Sequence, residues 1–238
     1  MADYTEIFGK DWARILKQFL LSDEWKAIRS EIARMAKNKE EFYPGVDSIF
    51  RAFEECPYGE MSTVILTTNP YDVQNDGLAF SCKTADFSDK CPSALEKILD
   101  GIEEDVCNGL YLNRESDLWR WADQGVLLLN ADLTTLKGKP GAHLKRWHPF
   151  IKYVIKTIAT YNTGICYILI GKFAHKFAQY INPKNNDIFL LEHPMVAIEE
   201  KRKWKHENVF SRVSAITNLL NNRSIDWTKN TKKWETGI

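Results

Sequence analysis

The sequence predicts an α/β fold, a parallel sheet with helices on both faces. Three observations carry that prediction. Four apolar runs, around 64–66, 125–130, 165–171 and 188–194, read as strands, the first three of them buried and the fourth ending in polar residues. Segments with helical spacing alternate with them, as a parallel sheet requires. Each run also stops near a residue with chemical or conformational potential: Asn69, Asn130, Gly171 or His193. Parallel strands put their carboxyl ends on one edge, so these distant residues are expected to converge on one cleft.

Taken in order, residues 10–37 are expected to be helical, with a break near Ser22-Asp23. Trp12, Ile15, Leu16, Phe19 and Leu20 follow helical spacing before the break, and Trp25, Ile28, Ile32 and Met35 after it. Tyr43-Pro44-Gly45 reads as a turn. Residues 46–55 read as a short amphipathic helix with Val46, Ile49, Phe50 and Phe53 on its apolar face. Cys56-Pro57-Tyr58-Gly59 ends it, and the strand Val64-Ile65-Leu66 runs into the polar turn Thr67-Thr68-Asn69-Pro70-Tyr71-Asp72. A polar loop and Leu78-Ala79-Phe80-Ser81-Cys82 follow. A helix is expected from Cys91-Pro92-Ser93 to Val106, and a short helical piece over 118–123. After the strand at 125–130, helices are expected over 150–161, 173–180 and 209–220, interleaved with the last two strands. Ile225-Asp226-Trp227 closes the globule.

The chain has 238 residues, 44% of them hydrophobic and 12% aromatic, enough to fill a sizeable core. No repeat, low-complexity segment or long linker interrupts it, so residues 1–238 read as one domain. Basic and acidic residues balance at 32 each, so nucleic-acid binding would need a local basic face. No stretch approaches the roughly 18 apolar residues of a membrane span. The amino terminus lacks a signal pattern. Five cysteines without CxxC spacing read as reduced thiols of an intracellular protein, and cytoplasmic is the expected location. No Cys/His spacing suggests zinc.

The ordered set Tyr43-Pro44, Val46 to Phe53, Val64-Ile65-Leu66, Asn69-Pro70-Tyr71 and Gly77-Leu78-Ala79-Phe80-Ser81 resembles the uracil-DNA glycosylases. So do Trp121 to Ala131, Gly171, His193-Pro194 and Ile225-Asp226-Trp227. The resemblance covers about residues 10–227. It implies an α/β/α sandwich with a central four-stranded parallel sheet. It also implies an enzyme that flips a nucleotide into a pocket and hydrolyses the bond between base and deoxyribose. No metal or cofactor is implied, and DNA is the partner of an expected monomer.

The resemblance assigns roles residue by residue. His193 would donate to the departing base oxygen. Asn130 would read the base edge with its paired donor and acceptor. Phe80 would stack on the base, and Tyr71 would crowd its 5-position. Backbone around Thr68 and Tyr71 would meet the pocket. Ser93 and Gly171-Lys172 fall where DNA phosphates are held. Ser93 reads equally as a helix cap. Ala197 falls at the position of the duplex wedge, beside the basic run Lys201-Arg202-Lys203.

Departures cluster at this turn. Asn69 stands where the common uracil-removing family has an aspartate, as in the mismatch-specific branch of the superfamily. An amide oxygen can hold a water but supplies no charge. Asp72 is a candidate for that charge or for a turn cap. The Asp72–Gly77 loop is shorter than the family's, and Ala197 is small for a wedge. Three readings follow: a glycosylase for uracil, a glycosylase for a 5-substituted or glucosylated cytosine of phage DNA acting in defence, and an inactive binding module.

Overall fold

The computed structural model describes residues 4–72, 74–82, 93–107 and 114–229. Its centre is a four-stranded parallel sheet. The strands in chain order are β2 (Thr63–Thr67), β3 (Val126–Asn130), β5 (Cys166–Ile170) and β6 (Asp187–Leu191). They lie in the order β3-β2-β5-β6. All three pairings are parallel, with Thr67 opposite Asn130 and Ile170 opposite Leu191. β2, β3 and β5 are buried at every residue, which is why they read as unbroken apolar runs. The outer edge of β3 is not bare, because Ala79 N–H donates to Leu128 C=O at 3.1 Å.

Among the described residues ten helices accompany the sheet: α1 (Thr5–Ile15), α2 (Lys17–Leu20), α3 (Asp23–Lys37), α4 (Arg51–Glu55), α5 (Ser93–Asp105), α6 (Trp119–Ala122), α7 (Leu144–Tyr161), α8 (Lys172–His175), α9 (Pro194–Glu199) and α10 (Val209–Asn221). The expected break at Ser22 is a helix start. The Ser22 side chain accepts from Trp25 N–H at 3.1 Å, with Asp23 and Glu24 in the first turn. One buried cluster runs from Phe8 to Trp227 and encloses Trp12, Trp25, Trp121, Trp147 and Trp227. The closing Trp227 is held at both polar ends of its bond network. Its indole donates to Phe210 C=O, and its carbonyl accepts from Trp121 Nε1.

Several elements differ from the sequence reading. Residues 46–55 split into a 3-10 turn (Val46–Ser48) and α4, and Val46 is half exposed, off the apolar face. α7 starts at Leu144, upstream of Pro149. Fully buried Trp147 and Phe150 anchor that end despite the proline. Residues 173–180 divide between α8 and a 3-10 turn. A small antiparallel ribbon pairs β1 (Phe42–Tyr43) with β4 (Thr135–Leu136), which single-sequence alternation over two residues cannot reveal. α9 was also not foreseen. The expected Cys91-Pro92 helix start lies outside the described residues.

Candidate active site

The four strand ends do meet at one edge. A cleft of about 410 Å3 there is lined by Asn69, Pro70, Tyr71, Asp72, Phe80, Ser93, Ala94, Pro140, His193 and Met195. The turn after β2 is stitched to the turn after β3, with Ala131 N–H donating to Thr67 C=O and Asp132 N–H to Thr68 C=O. That fixes half-buried Thr68 and Asn69 against the sheet.

Asn69 Nδ2 donates to Pro70 C=O at 3.0 Å. This bond orients the amide and leaves Oδ1 as the acceptor. Asp72 Oδ2 accepts from Gly138 N–H at 2.9 Å, so this carboxylate ties the turn to the segment after β4. Asn130 does not line the open cleft. It is buried at the end of β3, 2% exposed, and its Oδ1 has no donor among the described residues. An unmet buried acceptor costs about 1–3 kcal/mol, and such an atom needs a ligand or water donor.

His193 sits where β6 runs into α9. Burial lowers its pKa, which favours the neutral ring at neutral pH. Its Nδ1 accepts from Met195 N–H at 3.3 Å. An acceptor Nδ1 puts the proton on Nε2, an assignment made from the bond pattern. The ring is therefore a neutral N–H donor. Phe80 stands beside it, ring centroids 5.7 Å apart at 40°. Gly171 abuts His193 in a backbone conformation that L side chains rarely adopt. Its φ is 93°, and a Cβ there would meet His193 Cβ at 3.4 Å.

The predicted DNA-contacting residues fare unevenly. Ser93 is exposed on the cleft wall and Lys172 is exposed at the start of α8. Lys201 is exposed too. Arg202 is ion-paired: it grips Glu192 through two bonds of 2.5 and 2.7 Å and Glu200 through a third of 2.6 Å. Lys203 is likewise paired, with Glu104 at 2.7 Å. Ala197 requires a correction. It is fully buried, so it presents no wedge. Trp204 is buried as well, its indole donating to Glu192 C=O.

Sequence reasoning missed Asp132. It is fully buried two residues past Asn130, and burial pushes its pKa up to about 7. Its Oδ2 accepts from His143 N–H at 3.1 Å. The signal was present, a carboxylate directly after a buried strand end. Pro140 and Met195 on the cleft wall were missed for a different reason, since neither is a polar residue at a strand end. Among the described residues no cluster of three or more His, Cys, Asp or Glu could hold a metal ion, and no helix is long and apolar enough to cross a membrane.

A family model described as the uracil DNA glycosylase superfamily matches residues 53–215. The uracil-DNA glycosylase of Acinetobacter baumannii (strain AYE) is 30% identical over 221 residues, covering 92% of this chain and 91% of that protein. That of Flavobacterium johnsoniae is 32% identical over 215 residues, covering 87% and 95%. In three dimensions the chain resembles a mimivirus uracil-DNA glycosylase, with a TM-score of 0.81 over 95% of this chain and 89% of that one. A glycosylase structure from Nitratifractor salsuginis gives 0.53, covering 90% and 96%. At 18% identity these two structures speak to the fold alone.

Proposed function

The chain belongs to the uracil-DNA glycosylase superfamily, and on that premise we propose that it flips a pyrimidine out of DNA and hydrolyses its N-glycosidic bond. It is read as a monofunctional DNA glycosylase. Water oxygen bonds to the sugar C1′ and gives up a proton, the C1′–N1 bond breaks, and its electron pair leaves with the base, which takes up a proton from solvent, giving an abasic site and the free base. The observation that carries the reading is the cleft at which Asn69, Tyr71, Phe80 and His193 meet, with the His193 ring neutral and its Nε2–H free to donate.

Each side chain then has a task. Asn69 Oδ1 holds the attacking water. His193 Nε2–H meets the base oxygen on which negative charge develops, where one preorganised donor is worth roughly 2.7–4 kcal/mol. The enclosed Asn130 Oδ1 takes an N–H from the base edge, which would supply its missing donor. Phe80 stacks on the ring and Tyr71 bounds its 5-position. Ser93, Lys172 and Lys201 face the backbone phosphates, with Gly171 in the adjoining turn. Asp72 tethers the turn. The protein acts as a monomer in the cytoplasm and needs no cofactor, since water is the nucleophile.

A second reading is a pyrimidine carrying a bulky 5-substituent. The cleft is lined by Asp72, Ser93 and Pro140 as well as Tyr71, side chains and backbone that a 5-substituent would meet. A glucosylated cytosine of phage DNA would place hydroxyls beside Asp72 and Ser93, and defence would be its setting. A panel of duplexes decides between the two. It carries uracil, thymine opposite guanine, hydroxymethylcytosine and glucosylated hydroxymethylcytosine, with strand cleavage at abasic sites as readout. Release of uracil supports the first reading, and release of the modified base alone supports the second. Asn69→Ala is expected to abolish release. No release from any duplex by the unaltered protein would overturn both.

A further inference from the structure

Phe80 carries its aromatic ring on a backbone with φ = 61°. Bulky side chains rarely occupy that left-handed region. Such a conformation persists only where its surroundings over-determine it. Here they do, and one buried carboxylate is at the centre. Asp76 is 5% exposed. Its Oδ1 accepts from Leu78 N–H at 3.2 Å, and its Oδ2 from Ser81 Oγ–H at 2.7 Å. The carboxylate therefore grips the loop on both sides of Phe80. Ser81 Oγ in turn accepts from Leu118 N–H at 3.0 Å.

The charge is answered by Arg51, whose Nη1 lies 2.7 Å from Asp76 Oδ2. The rest of that guanidinium is held by Asp117 at 3.1 Å and Glu55 at 3.3 Å. Asn75 closes the base of the loop, accepting from Gly77 N–H and donating to Ser81 C=O. Gly77 is obligatory at its place. Its φ is 96°, and a Cβ would stand 2.0 Å from Ser48 C=O.

We propose that Asp76 is a positioning residue of the site: clamped by Arg51, its carboxylate locks the 78–81 loop so that the Phe80 ring stands beside His193 before any base arrives. The inference rests on the reading of Phe80 as the stacking residue. Its rival is a staple that ties the loop to α4 for stability alone, leaving the ring placement to other contacts.

The test uses Asp76→Ala, Phe80→Ala and the double variant of the full chain. The first readout needs no activity: the ring-current shift that Phe80 imposes on the His193 ring protons in NMR. Asp76→Ala is expected to move those protons to the positions seen in Phe80→Ala while the rest of the spectrum stays folded. Asp76→Asn keeps one acceptor, serves if the alanine variant does not fold, and is expected to lose part of the shift. The second readout is kcat/KM for base release. Asp76→Ala should cost roughly ten- to a hundredfold in the native background, as for a misplaced substrate-contacting group, and almost nothing further beside Phe80→Ala. An unchanged His193 shift in a folded variant, or losses that multiply in the double variant, would overturn the proposal. If the unaltered protein releases no base, the functional reading falls while the ring-current shift still decides this one.

Discussion

Two carboxylates flank the turn after β2, Asp72 and Asp132, and their environments differ. Asp72 is half-buried and its bond to Gly138 makes it a tether. Asp132 is fully enclosed, and burial raises its pKa from 3.8 to about 7, only partly offset by the bonds from the His143 and Thr134 N–H groups. The sign of the consequence follows from proton counts. Between about pH 4 and pH 7 the folded protein holds a proton that the unfolded chain has released, so stability falls as pH rises through that window. Asp132→Asn removes the charge and keeps an acceptor for His143 N–H. It is expected to raise the thermal midpoint at about pH 8, by the equivalent of 1 kcal/mol or more at about 1.4 kcal/mol per pKa unit. Near pH 4 the two proteins should melt together. Thermal melts across that range check this, and a constant offset at every pH would show that the Asp132 charge is not the cause. His193 shifts the other way, downward by burial, which keeps its Nε2–H donor neutral around neutral pH.

At the level of elements, α9 changes the meaning of the sequence most. It is six residues long, less than two turns, too short for periodicity to reveal. Yet its rotation decides which apolar side chain faces out. Ala197 turns inward and is fully buried, whereas Met195 is 37% exposed on the cleft wall. Ala197→Leu is therefore expected to overpack the interior and cost about 1–3 kcal/mol in a denaturant titration. It should bring no gain in base release from duplex DNA. A stable variant with faster release would mean that position 197 reaches the duplex after all. Strands β2, β3 and β5, by contrast, were legible because burial on both faces leaves an unbroken apolar run, as in Val126 to Leu129. The helix start at Leu144 was not, because Pro149 masks it and the compensating burial of Trp147 is tertiary.

For the whole molecule, what was legible of the candidate site is the set of residues at strand ends, and what was hidden is their environment. Asn69, Tyr71 and His193 line one cleft because parallel strands deliver them to one edge, and Phe80 joins them from the 78–81 loop beside β3. That Arg202 belongs to Glu192, or Asp76 to Arg51, depends on contacts between separate segments. This bears on how a chain with 32 basic and 32 acidic residues holds a polyanion. Of the four basic side chains predicted to face DNA, Arg202 and Lys203 are already in ion pairs, and Lys172 and Lys201 remain without a described one. Each phosphate neutralised contributes about −0.9 to the slope of log affinity against log salt. Two such contacts predict roughly a tenfold loss of duplex affinity between about 50 and 200 mM salt, against about 10³–10⁵ for six to ten contacts. Fluorescence anisotropy with a duplex bearing an abasic-site analogue measures the slope. Lys172→Ala and Lys201→Ala should each lower it by about one, whereas Arg202→Ala should leave it nearly unchanged. A steep slope that Arg202→Ala flattens would mean that the Glu192 pair opens on binding and hands its guanidinium to the backbone.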